Sequence, residues 1–138
     1  MKRLLILVFT LLAVVCSCKK AEDPKDLLTG TWKVKTKIEL TSSAGSATSV
    51  EEYDYVFTFD RDGYGEIVKD SQVYPFNYQF NDSRDKISYD FEDKSHKDGI
   101  WTVDELTEDR FVFHETTSTT FFGYTYTSVT TLKGRKRN

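Results

Sequence analysis

The chain has 138 residues, 14% of them aromatic, and a formal net charge of −3 at neutral pH. This length suits one small domain, and the acidic balance argues against nucleic acid as a partner, because nucleic-acid-binding domains concentrate basic residues. The only two cysteines, Cys16 and Cys18, both lie near the N-terminus, which excludes a disulfide framework in the rest of the chain.

The first seventeen residues have the order of a signal peptide. Two basic residues precede an apolar run at residues 4–15, which is followed by the small residue Ser17 and then Cys18. The run is about a dozen residues long, whereas a membrane-spanning helix needs roughly 20, so a retained membrane helix is the weaker alternative. We therefore expect residues 1–17 to be removed and to take no part in the fold.

The segment VCSC at residues 15–18 resembles the lipobox of bacterial lipoproteins, in which a small residue precedes the cysteine that is acylated. Ser17 fits that position, so the resemblance implies a lipid on Cys18. Cys16 is the competing candidate, but the β-branched Val15 would then occupy the small-residue pocket. Several acyl chains on one cysteine anchor a protein stably to a membrane. The implied location is the cell envelope, with the outer membrane favoured and its periplasmic or surface face left open; plain secretion is the alternative.

A polar segment follows the cysteine. Residues 18–26 are predicted to form a lipid-anchored tether, and residues 27–138 a single domain. Loss of residues 1–17 leaves 121 residues with 17 basic and 22 acidic side chains, a net charge of −5. Residues 41–49, rich in Ser, Thr, Ala and Gly, are expected to form a mobile loop.

From Trp32 onward, bulky apolar residues alternate with polar ones. This two-residue period is typical of half-buried antiparallel strands. In the clearest case, Tyr53, Tyr55, Phe57 and Phe59 share one face. Further strands are predicted around residues 32–40, 65–69, 76–80, 87–91, 100–103, 111–113 and 124–126.

Short connections with turn residues join these strands. Asp62-Gly63, Asn81-Asp82-Ser83 and Lys97-Asp98-Gly99 favour hairpins, so neighbours in sequence should also pair in the sheet. An open sheet of this kind would leave two edges exposed, and closure removes them. We predict an all-β fold, an eight-stranded antiparallel up-and-down barrel, with an open sandwich as the alternative.

The segment LLTGTWKV at residues 27–34 resembles the opening of the lipocalin-like domains of small bacterial lipoproteins. The resemblance covers residues 27–133 and implies that Gly30 and Trp32 form the motif whose tryptophan plugs the barrel floor. It also implies a basic side chain across that tryptophan, for which Lys133 and Arg135 are the candidates. The chain lacks the disulfides and the C-terminal helix of classical lipocalins, so the resemblance carries over the fold rather than a ligand chemistry.

The aromatic side chains either fill the barrel or line a cavity for a small ligand, and both alternatives stay open at this point. The predicted lumen residues are Tyr53, Tyr55, Phe57, Phe59, Phe76, Tyr78, Phe80, Tyr89, Trp101, Phe111, Phe113, Tyr124 and Tyr126.

No set of residues predicts an active site. The carboxylates within residues 60–66 lack the spacing of a calcium loop, and His96 and His114 lack a second histidine at ligand spacing. Ser95 beside His96 on a loop is not a positioned nucleophile and base. We therefore expect no enzyme, no metal and no cofactor.

Two functions of different class follow from these expectations. The first is an envelope-anchored carrier or sensor of a small hydrophobic or amphipathic ligand. The second is a non-enzymatic interaction module that binds an envelope protein or a surface glycan.

Overall fold

The computed structural model describes residues 22–45 and 49–138. The predicted signal peptide at residues 1–17 and the predicted lipidation site Cys18 lie outside the described residues. The elements are α1 Pro24–Leu28, β1 Gly30–Ser42, β2 Ser49–Phe59, β3 Tyr64–Lys69, β4 Gln72–Phe80, β5 Lys86–Phe91, β6 Gly99–Leu106, β7 Arg110–Phe121 and β8 Tyr124–Lys136.

The eight strands form one closed antiparallel barrel in sequence order. The predicted up-and-down barrel is therefore confirmed, and the open sandwich is excluded. Closure is achieved by β1 and β8, whose pairing runs from Trp32 opposite Lys136 to Ser42 opposite Tyr126. Because the first strand pairs with the last, neither presents a free edge over this length.

The hairpin turns use left-handed backbone conformations. Gly63 has φ 90°, as the predicted Asp62-Gly63 turn requires. The turn between β3 and β4 places Asp70 at φ 48° and Ser71 at φ 67°, and the turn between β7 and β8 places Phe122 at φ 49° and Gly123 at φ 77°. Two successive positive φ values match the twist of flanking strands.

The strands differ in length, and this gives the barrel a tall side. β1, β2, β7 and β8 have 13, 11, 12 and 13 residues, whereas β3 to β6 have 6, 9, 6 and 8. The hairpin of β7 and β8 extends furthest, and residues 116–126 are exposed on both faces. Phe122 at its tip is 86% exposed.

The core lies at the end of the barrel where β1 begins, which we call the floor. Its buried side chains come from α1 and from the inner faces of the strands: Leu28, Trp32, Val34, Phe57, Phe59, Phe76, Tyr78, Ile87, Trp101, Phe111, Phe113 and Leu132. Aromatic edge-to-face contacts hold it together, such as that of Phe59 with Tyr78 at 5.3 Å between ring centroids.

Helix α1 begins inside the segment predicted as tether. Pro24 occupies the first turn, and the Asp23 side chain caps the helix by accepting from the Lys25 amide at 3.0 Å. Leu28 at its end is fully buried under the barrel. Helix α1 therefore overlaps both the predicted tether at residues 18–26 and the start of the predicted domain at residue 27.

The Gly-x-Trp motif closes the floor as the sequence predicts, but its basic partner is Lys136. Trp32 is fully buried and donates its indole N–H to the Leu28 carbonyl at 2.7 Å. The Lys136 ammonium lies 4.9 Å from the Trp32 ring centroid and donates to the Leu27 carbonyl at 2.9 Å. Gly30, at φ 135°, packs against the Lys136 stem.

The predicted candidates Lys133 and Arg135 are wrong for this role. Along β8, Leu132 and Gly134 are buried on the inner face, so residues 133 and 135 point outward and are exposed. Strand alternation places Lys136 on the inner side, directly opposite Trp32.

Replacement of Lys136 by Met tests this assignment. We expect Lys136→Met to lower the free energy of unfolding by about 1–2 kcal/mol, because a cation–π contact and a charged hydrogen bond are lost together. Lys133→Met removes the same charge from the outer wall and should change stability by less than about 0.5 kcal/mol. Urea unfolding of both variants measures the difference, and equal losses would contradict the assignment.

Candidate functional site

Burial along the inner face falls from the floor to the opposite end. On β1, Trp32, Val34 and Thr36 are buried, whereas Ile38 is half-buried and Leu40 is exposed. The inner faces of β2, β7 and β8 show the same gradient. The barrel is thus filled at its floor and open at the other end, which we call the mouth.

Several inner-face side chains of the mouth carry polar groups, and strand alternation places them toward the axis. They include Thr36, Tyr53, Tyr55, Lys69, Tyr89 and Glu115.

A tyrosine and a carboxylate meet on one wall of the mouth, over the intervening strand β6. The Tyr89 hydroxyl donates to the Glu115 carboxylate at 2.5 Å, and the Tyr89 ring stacks on Trp101 at 4.2 Å between centroids. Gly99 makes this contact possible, since a Cβ there would overlap both the Tyr89 hydroxyl and the Glu115 carboxylate. Gly99 therefore serves close packing and not a turn.

A cation lies over two tyrosine rings on the facing wall. The Lys69 ammonium is 5.6 Å from the Tyr53 centroid and 5.5 Å from the Tyr55 centroid, and the two rings stack at 5.9 Å. The Tyr53 hydroxyl donates to Glu51 at 2.7 Å. Two aromatic faces, one ammonium group and one carboxylate thus line this side.

Thr36 supplies a buried hydroxyl between these walls. The residue is 5% exposed, and its Oγ1 has no hydrogen-bond partner among the residues that the structure describes. A buried hydroxyl without a partner costs about 1–3 kcal/mol of desolvation. Its cross-strand neighbours are Tyr53 and Leu132, so it lies beside the aromatic wall.

Burial governs the ionisation of the inner tyrosines. It raises the pKa of Tyr89, and the hydrogen bond to the negatively charged Glu115 raises it further. Burial, followed by the charges of Asp60 and Asp62, raises the pKa of Tyr78 to about 12. Both phenols are therefore protonated donors at neutral pH.

The predicted lumen residues divide into three groups. Seven fill the floor: Phe57, Phe59, Phe76, Tyr78, Trp101, Phe111 and Phe113. Tyr55, Phe80 and Tyr89 are half-buried and pack against that core, while Tyr53 and Tyr126 are each 38% exposed at the rim. Tyr124 does not line the lumen, because β8 extends past the barrel there and leaves its ring in solvent.

Thr36, Lys69 and Glu115 were not among the predicted lumen residues. Each lies on the inner face of a strand on which neighbouring inner-face residues are aromatic or aliphatic. On β7, for example, Glu115 follows Phe111 and Phe113 at alternate positions. A polar residue in register with an apolar stripe is the signal that could have identified them.

The two histidines lie in different places: His114 is on the outer wall, and His96 is in the loop between β5 and β6 at the mouth end, where its ring also contacts Phe91. His114 Nδ1 is 2.6 Å from an Asp104 carboxylate oxygen on the outer wall, and the His96 ring contacts Tyr74 edge-on at 4.9 Å. Over residues 22–45 and 49–138, no group of three or more His, Cys, Asp or Glu side chains is placed to hold a metal ion. No helix in the same ranges is long and apolar enough to cross a membrane.

No protein-family model and no curated protein sequence matches the chain. Among solved structures, a redesigned β-barrel is similar over 87% of this chain and 100% of its own, with 14% sequence identity and a TM-score of 0.43.

Tyr78 predicts an alkaline loss of stability. Its pKa is about 12 in the folded protein against 10.0 for a free phenol, so the unfolded chain loses the proton first as the pH rises. The contribution of the protonated Tyr78 phenol to the free energy of unfolding is therefore fully present below pH 10 and is lost between pH 10 and 12. The free energy of unfolding of Tyr78→Phe, measured by urea unfolding, should fall less steeply over that pH range. Tyr124→Phe, on the exposed hairpin, is the matched control, and an unchanged slope in Tyr78→Phe would contradict the prediction.

Proposed function

We propose that this protein is a lipid-anchored lipoprotein of the cell envelope whose barrel mouth binds a small amphipathic molecule. The observation that carries the binding proposal is the buried Thr36 hydroxyl without a partner, set among tyrosine rings at the open end of an otherwise filled barrel. A polar group of a ligand would satisfy this hydroxyl, and the rings would contact an apolar part.

The mouth supplies complementary groups for such a molecule. Tyr53 and Tyr55 offer aromatic faces, and Lys69 and Glu115 offer one charge of each sign at the edge. The floor below is closed by packed aromatic side chains, so the bound molecule is short and sits in the upper half of the barrel. These features favour a ligand with a compact apolar body and a hydroxyl, carbonyl or amine.

The envelope location rests on the sequence of residues 1–18 and on the resemblance of residues 27–34 to lipocalin-like lipoproteins. Helix α1 packs at the floor, and the five residue steps from Cys18 to Asp23 reach at most about 18 Å. An acyl group on Cys18 would therefore hold the floor toward the membrane, with the mouth directed away from it.

Thermal unfolding with a panel of amphipathic molecules tests the binding proposal. Fatty acids, fatty alcohols, sterols and acyl amines are added to the purified protein. A ligand at 100 times its Kd should raise the free energy of unfolding by about 2.7 kcal/mol. A panel without any shift would count against a binding mouth.

The variant Thr36→Val then tests the site. We expect it to keep or raise the stability of the free protein by up to about 1 kcal/mol, because the unpartnered hydroxyl is removed. Its affinity for the ligand found in the panel should fall about tenfold, as a lost hydrogen bond predicts. Thr131→Val, on the outer face of β8, is the matched control. Equal affinities for the wild type and Thr36→Val would place the ligand elsewhere.

The lipid anchor is tested in cells. Cys18→Ser should move the protein from the membrane fraction to the soluble fraction and abolish incorporation of a labelled fatty acid, since stable attachment needs the acyl chains. Cys16→Ser is the control and should leave both unchanged. The reverse result would assign the lipid to Cys16, and no effect of either variant would contradict acylation.

A further inference from the structure

A second concave surface lies on the outer wall of the barrel, away from the mouth. A groove of about 770 Å³ is formed by β7, β8, β1 and β2. Its bottom is the backbone around Gly134, where a Cβ would overlap the ring of Phe111. Because Gly134 has no side chain on the inner face, β8 can lie closer to the barrel axis, and the outer wall is concave at this point.

Cations line this groove in two neighbouring rows. Strand pairing places Arg110, Arg135 and Lys33 side by side in one row, and Lys133 and Lys35 in the next. Like charges directly opposite each other on antiparallel strands are destabilising. The whole chain has a net charge of −3, so this cluster does not follow from a basic composition.

Few carboxylates offset these charges. Asp54 lies at one edge, opposite Lys35, and the Arg110 guanidinium is 3.2 Å from Glu105. Within the part of the chain that the structure describes, no carboxylate forms an ion pair with the remaining cations, which are Lys33, Lys35, Lys133 and Arg135. The groove thus holds an excess of positive charge that the protein itself leaves uncompensated.

We propose that this groove binds a phosphate-bearing ligand. A phosphate group presents up to two charges and three acceptor oxygens, which matches several cations gathered in a small area. The Arg135 guanidinium can donate hydrogen bonds to two oxygens of one phosphate group, and the lysines contribute positive charge around it. Val56 and Val112 add apolar contact at opposite corners of the two rows. A free phosphate compound and a phospholipid headgroup share this chemistry.

Two binding experiments distinguish these sources. Isothermal titration with inorganic pyrophosphate probes a soluble ligand. Sedimentation with vesicles of phosphatidylcholine and phosphatidylglycerol, against vesicles of phosphatidylcholine alone, probes a headgroup. The protein carries Cys16→Ser and Cys18→Ser throughout, so that no acyl group contributes. The groove variant is Lys33→Gln with Arg135→Gln, and the control is Lys86→Gln with Lys97→Gln, which removes two charges outside the groove.

In the pyrophosphate titration or in the vesicle sedimentation, the groove variant should bind at least about tenfold more weakly than the control variant, because two charge-assisted contacts are lost. Its melting temperature should equal or exceed that of the control, since repulsion is relieved, so weaker binding would not reflect unfolding. Binding of pyrophosphate assigns a soluble ligand, and binding restricted to the anionic vesicles assigns a headgroup. Absence of binding in both arms, or equal binding by the two variants, overturns the proposal.

Discussion

The structure depends on the pairing of its first strand with its last. β1 is bonded to β2 on one side and to β8 on the other, and eleven residues from Trp32 to Ser42 take part in the closing ladder. This pairing removes the two edges that an eight-stranded sheet would expose. The same ladder sets Trp32 opposite Lys136 and so builds the floor.

Much of this fold could be predicted from the sequence. Strands such as β2 and β4 carry aromatic residues at every second position, which predicts both the strand and its inner face. The end of β8 has no such signal, because Lys133, Arg135 and Lys136 are all basic and Gly134 has no side chain. Only the register against β1 shows which of these cations faces Trp32.

The candidate site was less predictable than the fold. Tyr53, Tyr55 and Tyr89 could be assigned to the inner face, but how far each lies from the floor depends on the stagger between strands. The contact of Tyr89 with Glu115 joins β5 to β7 over Gly99 of the intervening strand β6, so it depends on the register of three strands. The exposure of Tyr124 likewise reflects how far the hairpin of β7 and β8 extends beyond the other strands, which local alternation does not encode.

Charge and aromatic surface are distributed unequally over the molecule. The outer wall of β7, β8, β1 and β2 carries a cluster of basic side chains near the floor, whereas the far ends of β7 and β8 are uncharged from residue 116 to residue 131 and carry exposed aromatic rings. One set of long strands therefore presents two chemically different surfaces, separated along the barrel axis.

The unequal strand lengths also determine how a molecule reaches the interior. β1, β2, β7 and β8 are longer than β3 to β6, so the rim of the barrel is higher on one side than on the other. On the low side, the loop between β5 and β6 lies at the rim, and its His96 ring contacts Tyr74 and Phe91. A molecule that enters over the low side therefore meets these three rings before the taller wall that holds Thr36.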